Sequence, residues 1–169
     1  MKKIIIRKAD NNDLDDILRL NFGLFKKEYK EYDKKLNLKW TFGKVGTTYF
    51  KKNISGKNSF VFVAENEGKI IGYLCGVMRD CPYDYRIIPK YAELENMIVD
   101  EEFRGEGIGE MLTKEFLKWC KGKKANVISV NASIQNKNGI EFYRKMGFKD
   151  YSLTLEIKKG VEASIGNIY

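Results

Sequence analysis

The sequence predicts a single α/β domain with a mixed sheet of six to seven strands and about four helices. Strand-like apolar runs and segments with helical apolar spacing follow one another in the order β-α-α-β-β-β-α-β-α-β. No linker, internal repeat or shift in composition interrupts the 169 residues, a length that suits one domain. We expect residues 1–159 to form this domain and residues 160–169 to be a C-terminal tail.

The first segments predict a strand followed by two helices. Ile4–Arg7 is an apolar run of the kind found in strands. Asp10 or Asn11 can cap a helix whose apolar residues keep helical spacing from Leu14 to Tyr32. A second, shorter helix is predicted over Trp40–Lys52.

A β-hairpin and a loop are predicted next. Two β-rich runs, Ser59–Glu65 and Ile70–Met78, are joined by the turn-forming sequence at residues 66–69. This hairpin makes part of the sheet antiparallel. Arg79–Pro89 contains both prolines of the chain, so we expect a loop there.

The second half predicts a strand–helix–strand unit with parallel strands. Ala92–Val99 is the first predicted strand, a helix follows from Ile108 to Gly122, and Asn126–Asn131 is the second strand. Lys137–Met146 predicts a last helix. Phe148–Lys158 predicts a final strand or strand pair.

The composition restricts the chemistry that the chain can perform. Histidine is absent, which excludes Ser-His-Asp and Cys-His nucleophiles and histidine-ligated metals. Three cysteines, Cys75, Cys81 and Cys120, form no C-x-x-C pair and indicate neither a disulfide framework nor a zinc site. We therefore expect no metal. A general base must be a carboxylate, a lysine or a water chain.

The net charge of +8 raises the question of nucleic-acid binding. The basic residues are spread among 23 acidic ones, and no run of five or more occurs, so a lysine-rich surface that also attracts a polyanionic cofactor is favoured over a nucleic-acid interface. No apolar run approaches the length of about 20 residues that spans a membrane. The chain starts directly with a strand-like run instead of a signal peptide, and we expect a cytoplasmic protein without membrane contact.

A glycine run lies between the fourth strand and the third helix. Gly105, Gly107 and Gly109 alternate with other residues immediately after Arg104. The first N–H groups of a helix lack intrahelical partners and lie at the positive end of its dipole. A helix start without side chains beside an arginine therefore predicts an anion site, best suited to phosphate.

Two common nucleotide motifs do not fit this run. The Gly-Lys-x-Ser at Gly56–Ser59 lacks the upstream glycine and the adjacent hydroxyl of a Walker A loop. A dinucleotide fingerprint would need a third glycine at the position of Glu110. What remains is Arg-x-x-Gly-x-Gly, formed by Arg104, Gly107 and Gly109, after a strand and before a helix. In this context the motif resembles the [Arg/Gln]-x-x-Gly-x-[Gly/Ala] signature of the GNAT superfamily of acetyl-CoA-dependent N-acetyltransferases.

A second segment strengthens the resemblance. Residues 136–148 resemble the family's Asn-x-x-Ala-x-x-x-Tyr-x-x-x-Gly-Phe pattern, with Asn136, Tyr143, Gly147 and Phe148 in place. The departure is Gly139, where the family usually has alanine. The resemblance spans about residues 4–158 and implies a GNAT-like fold whose sheet splays at its central strands.

The resemblance implies acetyl-CoA as cosubstrate and no metal. The diphosphate would bind the backbone N–H groups of the glycine run with Arg104 as a nearby cation, and the pantetheine would pair with Met97–Val99 like an added strand. A backbone N–H there would polarise the thioester carbonyl, and Asn136 would contact the pantetheine. The implied cofactor-binding residues are Met97, Ile98, Val99, Arg104, Gly105, Glu106, Gly107, Ile108, Gly109, Asn136 and Tyr143.

Three residues are candidates for catalysis. By resemblance, Tyr143 would protonate the departing thiolate. Glu93 stands eleven residues before Arg104, where some family members carry a catalytic glutamate. Glu95 is two residues further along the strand and shares its face, so the two carboxylates are expected to repel each other and to suit base chemistry. Alternatively, one or both form salt bridges with Arg86, Lys90 or Arg144.

The acceptor is expected between the first helices and the loop at residues 79–90. An aromatic and acidic pocket would suit a primary amine, either of a small molecule or of a peptide. The sequence leaves open a CoA-binding regulatory domain without turnover, a longer acyl donor, a basic nucleic-acid module and a homodimer. The candidate pocket residues are Tyr29, Tyr32, Asp33, Trp40, Tyr83 and Tyr85.

Overall fold

The computed structural model describes residues 4–80, 85, 87 and 90–157. Within these residues, five strands form one sheet in the order β1-β2-β3-β4-β5, and four α-helices pack on it. The strands are β1 (Ile4–Lys8), β2 (Ser59–Asn66), β3 (Lys69–Arg79), β4 (Tyr91–Val99) and β5 (Val127–Val130). The helices are α1 (Leu14–Glu31), α2 (Lys44–Ser55), α3 (Ile108–Gly122) and α4 (Lys137–Lys145).

The sheet is mixed, as the sequence predicts. β1 to β4 pair antiparallel in sequence order, whereas β5 pairs parallel to β4 after the crossover through α3. The β2–β3 hairpin closes between Asn66 and Lys69. Its two turn residues, Glu67 and Gly68, have φ angles of 51° and 79°, the left-handed geometry that two-residue hairpins require.

The predicted number of strands is wrong. The sequence predicts six to seven strands, including one or two over Phe148–Lys158. Residues 148–157 form no strand, and Lys158 lies outside the described residues. Leu153, Leu155 and Ile157 are 63–84% exposed. Alternating apolar residues predict a strand only if a neighbouring strand pairs with them, and none of the five strands does so.

The second helix begins four residues later than predicted. Residues 40–43 form a turn, and Gly43 is the extended N-cap of α2. The Thr41 hydroxyl donates a 2.7 Å hydrogen bond to Asn21 Oδ1 on α1, and both residues are buried. This contact between distant segments holds the turn in place. Helical spacing alone does not reveal it, because local periodicity carries no information about such a bond.

The core is divided between the two faces of the sheet. Val61, Val63 and Tyr73 point toward α1 and α2, whereas the alternate residues Leu74 and Leu94 point toward α3, as the two-residue period of strands requires. In the part of the chain that the structure describes, no helix is long and apolar enough to cross a membrane. The expected tail at residues 160–169, and Cys81, Tyr83 and Arg86, lie outside that part. The domain boundary, a cytoplasmic location and a homodimer stay predictions.

Candidate active site

The glycine run before α3 leaves the start of the helix open. Gly105 and Gly107 have φ angles of 83° and 80°, a conformation that residues with a side chain rarely adopt. A Cβ atom added at either position would meet nothing within 4 Å. The Met111 N–H donates to the Gly107 carbonyl at 3.0 Å, so the N–H groups of residues 108–110 precede the first intrahelical bond. These amides have the geometry that anion binding needs.

Neighbouring residues hold this loop against β4 and α4. The Arg104 Nε donates a 3.0 Å hydrogen bond to the Val99 carbonyl at the end of β4, which ties the loop to the strand. Gly109 faces α4, because a Cβ atom there would lie 3.5 Å from the Phe142 ring. A methyl group would fit there in ordinary van der Waals contact, whereas a larger side chain at residue 109 would meet the Phe142 ring of α4.

β4 and β5 separate beside this loop. Their ladder ends at the Leu94–Val130 pair, and residues 95–99 of β4 pair with β3 alone among the described strands. In the β3–β4 ladder, Cys75 pairs with Asn96 and Gly76 with Leu94, so Glu95 is the extra residue of a β-bulge. The splay that the resemblance implies is present, and it frees one edge of Met97–Val99.

Arg79 at the end of β3 holds both candidate carboxylates. Its Nε lies 2.8 Å from Glu93 Oε2, and its Nη2 pairs with Glu95 Oε1. Asn131 Nδ2 donates to Glu93 Oε1 at 3.2 Å. From the sequence, the alternative to base chemistry is that one or both carboxylates form salt bridges with Arg86, Lys90 or Arg144. Arg86 lies outside the described residues, and Arg144 pairs with Glu141 and Asp150 on the surface.

Neither Arg79 nor Tyr49 is among the site residues that the sequence predicts. Arg79 pairs with Tyr91 across the β3–β4 ladder, which makes it the diagonal neighbour of Glu93. This signal can be read only once the register is known. Tyr49 occupies an apolar position of α2, and its hydroxyl donates to Glu95 and accepts from Asn96 Nδ2 at 3.2 Å.

Burial keeps two further groups of this network neutral. Burial, with Cys75 and Glu95 nearby, raises the pKa of Tyr49 well above its usual value. Burial also raises the pKa of the Cys75 thiol to about 12, and its sulfur lies 3.4 Å from the Tyr49 hydroxyl. Cys75 is therefore a neutral thiol at neutral pH, and a poor nucleophile.

Tyr143 lies on α4 with its ring packed against the core of the α3 face. The rings of Phe142 and Phe148 contact it edge-on, with centroids at 5.3 Å and 5.7 Å. Burial and then the negative charge of Glu28 raise the pKa of Tyr143 to about 12. The phenol is thus protonated throughout the neutral range, as a proton donor must be.

Asn136 caps the N-terminus of α4. Its Oδ1 accepts a 3.0 Å hydrogen bond from the Gly139 N–H and a 3.4 Å bond from the Tyr32 hydroxyl. A Cβ atom at Gly139 would lie 2.5 Å from Asn136 Nδ2. The departure from the family's alanine therefore gives the Asn136 side chain room to fold over the helix start.

The predicted acceptor residues lie in different surroundings and do not all line one pocket. Tyr32 lies beside α4 through its bond to Asn136, but Trp40 stacks on Phe25 at 5.5 Å and packs against the core. Tyr85 is 74% exposed, and Tyr83 lies outside the described residues. The remaining two candidates are Tyr29, whose ring lies under the Lys34 ammonium group, and Asp33. Across the described ranges, no group of three or more acidic or cysteine residues is arranged to hold a metal ion.

Residues 14–148 match the acetyltransferase (GNAT) family. The chain belongs to this family. It is 32% identical over 151 residues to an uncharacterized N-acetyltransferase of Methanocaldococcus jannaschii, a match that covers 89% of this chain and 62% of that protein. The chain thus spans less than two thirds of that GNAT relative. An N-alpha-acetyltransferase of Sulfurisphaera tokodaii is 24% identical over 88% of this chain and 82% of its own.

Solved structures share the GNAT fold. A mutant of the BH1408 protein from Bacillus halodurans superposes with a TM-score of 0.79 at 23% identity, over 91% of this chain and 98% of that one. The aminoglycoside N-acetyltransferase AAC(6')-Iy, solved in complex with CoA, gives a TM-score of 0.73 at 15% identity, over 95% and 97% of the two chains. At these identities the likeness concerns the fold.

Proposed function

We propose that this GNAT protein transfers an acetyl group from acetyl-CoA directly to a primary amine. The observation that carries the proposal is the proximity of three features around the gap that opens between β4 and β5, which we call the cleft. They are the open helix start at Gly105–Gly109, the free edge of Met97–Val99, and α4 with Tyr143. The first feature suits a diphosphate and the second an amide-containing arm. The third feature supplies a proton.

The residues present fit coenzyme A. A Cβ atom at Gly105 or Gly107 would enter empty space, so the glycines leave room for phosphate oxygens over the helix amides. Asn136 Oδ1 is used in capping α4, which leaves its Nδ2 group to face a pantetheine carbonyl. The Arg104 Nε fastens the loop and its Nη1 lies 4.0 Å from Glu101 Oε1, which leaves Nη2 for the anion. The CoA-bound AAC(6')-Iy structure shares this fold.

The chain's own groups would perform the transfer. The bound thioester supplies the acetyl group. A backbone N–H of Met97–Val99 donates to the carbonyl oxygen as negative charge develops there, and Tyr143 delivers its proton to the departing sulfur. Glu93 is the proposed base that removes a proton from the amine, and Glu95 is the alternative. Arg79 holds both carboxylates in place.

An acceptor screen tests the proposal. Acetyl-CoA is incubated with small amines, peptides with free N-termini and lysine peptides, and both thiol release and the mass of the acetylated product are measured. We expect acetylation of at least one amine, and strong loss of it in Tyr143→Phe. Binding of acetyl-CoA without thiol release across the panel would instead indicate a regulatory CoA-binding domain. Faster turnover with a longer acyl-CoA would indicate that the longer acyl-CoA, and not acetyl-CoA, is the donor.

Glu93 as the base has its own test. Glu93→Gln removes the proton-accepting group but keeps the shape of the side chain and its contact with Arg79. We expect lower turnover at neutral pH and a partial recovery as the pH rises and more amine is uncharged. Full turnover across the pH range would refute the assignment.

A further inference from the structure

Glu28 continues the stripe of α1 residues that faces the sheet. Ile17 and Asn21 are buried on this face and Leu24 is half-buried. Glu28 follows at the same helical spacing, with steps of four, three and four residues. Asn21 is satisfied, because its Nδ2 donates a 2.9 Å hydrogen bond to the Tyr73 hydroxyl. About two turns later, roughly 10 Å along the axis, a carboxylate occupies the same stripe.

Glu28 lies within electrostatic range of two phenols, one in the core on β3 and one on α4. Besides burial, its negative charge contributes to the raised pKa of Tyr73 on β3 and of Tyr143 on α4. One turn after Glu28, the Tyr32 hydroxyl reaches Asn136 at the start of α4. The end of α1 therefore lies beside the start of α4, with the Glu28 carboxylate within electrostatic range of the proposed proton donor.

The charge of Glu28 is not compensated by a direct partner. Over residues 4–80, 85, 87 and 90–157, its side chain forms neither an ion pair nor a hydrogen bond. Burial, followed by the negative charge of Asp33, raises the pKa of Glu28, and the positive charge of Lys27 offsets this rise only in part. A half-buried carboxylate without a paired cation costs free energy that a cationic ligand would return.

The other carboxylates of the cleft differ from Glu28 in this respect. Glu93 and Glu95 share the guanidinium of Arg79, and Glu95 also accepts from Tyr49. Their charges are offset within the protein. In a chain of net charge +8, Glu28 is thus an uncompensated negative group near Tyr143, with a second carboxylate, Asp33, near Glu28 itself.

We propose that the Glu28 carboxylate binds the ammonium group of a cationic primary amine and so orients the acceptor toward Tyr143, before the amine gives up a proton to Glu93 and becomes a nucleophile. The proposal rests on the function proposed above and names the charge of its acceptor. An ammonium group offers three donors that match a carboxylate. A neutral or anionic acceptor would gain nothing from this position.

The test compares Glu28→Gln with Glu115→Gln, a matched change on α3 where Glu115 pairs with Lys118 on the surface. The probe is n-butylamine at neutral pH, where it is an ammonium ion, and n-butanol at equal concentration is the uncharged control. We measure the unfolding midpoint of each full-length variant with and without the probe. The amine, but not the alcohol, is expected to raise the midpoint of the wild type and of Glu115→Gln. Glu28→Gln should show no rise.

Three outcomes would overturn the proposal. The first is that the amine raises the unfolding midpoint of Glu28→Gln as much as that of the wild type. The second is that the amine does not raise the midpoint of the wild type. The third is a midpoint of Glu28→Gln that is far below the wild-type value without probe. The last would show a structural role, whereas removal of an uncompensated charge should leave the midpoint unchanged or higher.

Kinetics separate this proposal from the function on which it rests. With an acceptor found by the screen, Glu28→Gln should raise the KM for the amine about tenfold and leave kcat and the KM for acetyl-CoA unchanged, as for loss of a binding contact. An unchanged KM would refute the Glu28 site while transfer itself stands. The opposite result is also possible: the amine raises the unfolding midpoint, Glu28→Gln abolishes this rise, and no amine causes thiol release from acetyl-CoA. That result would refute the transfer and leave the Glu28 site standing.

Discussion

The Tyr49 hydroxyl on α2 donates a hydrogen bond to the Glu95 carboxylate on β4. Glu95 is the extra residue of the β4 bulge, so this bond joins α2 to the point where the sheet opens. Arg79 approaches the same carboxylate from β3. Three elements therefore meet at one side chain, which is only 11% exposed. The bulge is held in place by polar contacts in addition to packing.

Tyr49→Phe is expected to lower stability and to loosen the bulge. The change leaves a buried carboxylate oxygen and Asn96 without their shared partner, which costs about 1–3 kcal/mol. Urea unfolding monitored by fluorescence measures the loss. Tyr29→Phe is the control, because among the described residues the Tyr29 hydroxyl forms no hydrogen bond and Lys34 lies over its ring. Equal stability of the two variants would contradict the importance of the Tyr49 bond.

Tyr143→Phe is expected to reduce kcat by about 10²–10⁴-fold, the usual contribution of a general acid. The dissociation constant for acetyl-CoA should change little, because the ring contacts with Phe142 and Phe148 remain. Since the pKa of Tyr143 is raised to about 12, its ionisation should not limit the wild-type rate below about pH 10. Steady-state kinetics across pH and calorimetric titration with acetyl-CoA check these expectations. A kcat unchanged by the substitution would remove Tyr143 from the chemistry.

The elements with local signals were the ones the sequence could predict. The hairpin at residues 66–69 follows from its turn residues, and the crossover through α3 follows from the order of elements. Phe148–Lys158 carries an equally clear alternation, yet residues 148–157 form no strand. Alternation describes the surface that a strand would bury, whereas the partner strand is set by the rest of the fold.

Within the candidate site, too, only the residues with a local signal could be predicted from the sequence. Gly105 and Gly107 are visible in sequence because glycine spacing reports a backbone requirement. Arg79, Tyr49 and Glu28 reach the cleft only through strand register and helix packing. Their residue types also occur on ordinary surfaces and in ordinary cores, so composition and spacing do not distinguish them.

Asp13 is expected to make the folded state sensitive to acid. Burial alone would raise its pKa, but hydrogen bonds from Arg7 and from the Asp10 N–H outweigh burial and hold the pKa below the usual 3.8. The stabilisation is therefore present above about pH 4 and is lost as the pH falls through the lower value of the folded state. Urea unfolding at several pH values should show a shallower acid dependence for Asp13→Asn than for the wild type.

Asp150 provides the comparison for Asp13. Its pKa is also lowered by a hydrogen bond from Arg144, but the pair is on the surface, where solvent screens it. Asp150→Asn should therefore leave the acid dependence close to that of the wild type. A larger effect of Asp150→Asn than of Asp13→Asn would reverse this ranking of the two pairs.

Gly107→Ala is expected to weaken acetyl-CoA binding at least tenfold without unfolding the protein. An alanine at a φ of 80° is strained by about 1–2 kcal/mol, and its methyl group meets no protein atom within 4 Å. The methyl group would instead occupy the space in which phosphate oxygens approach the helix amides. Calorimetric titration with acetyl-CoA measures the affinity, and thermal unfolding measures the strain.

Gly68→Ala separates the strain from the loss of binding. Gly68 has a φ of 79° and equally open surroundings, but it lies in the β2–β3 turn. Both alanine variants should therefore lose similar stability, because the backbone penalty depends on φ and not on location. Only Gly107→Ala should lose affinity for acetyl-CoA. If the two variants bound acetyl-CoA equally well, the diphosphate could not lie on the N–H groups at the start of α3, and the donor site would have to be elsewhere in the cleft.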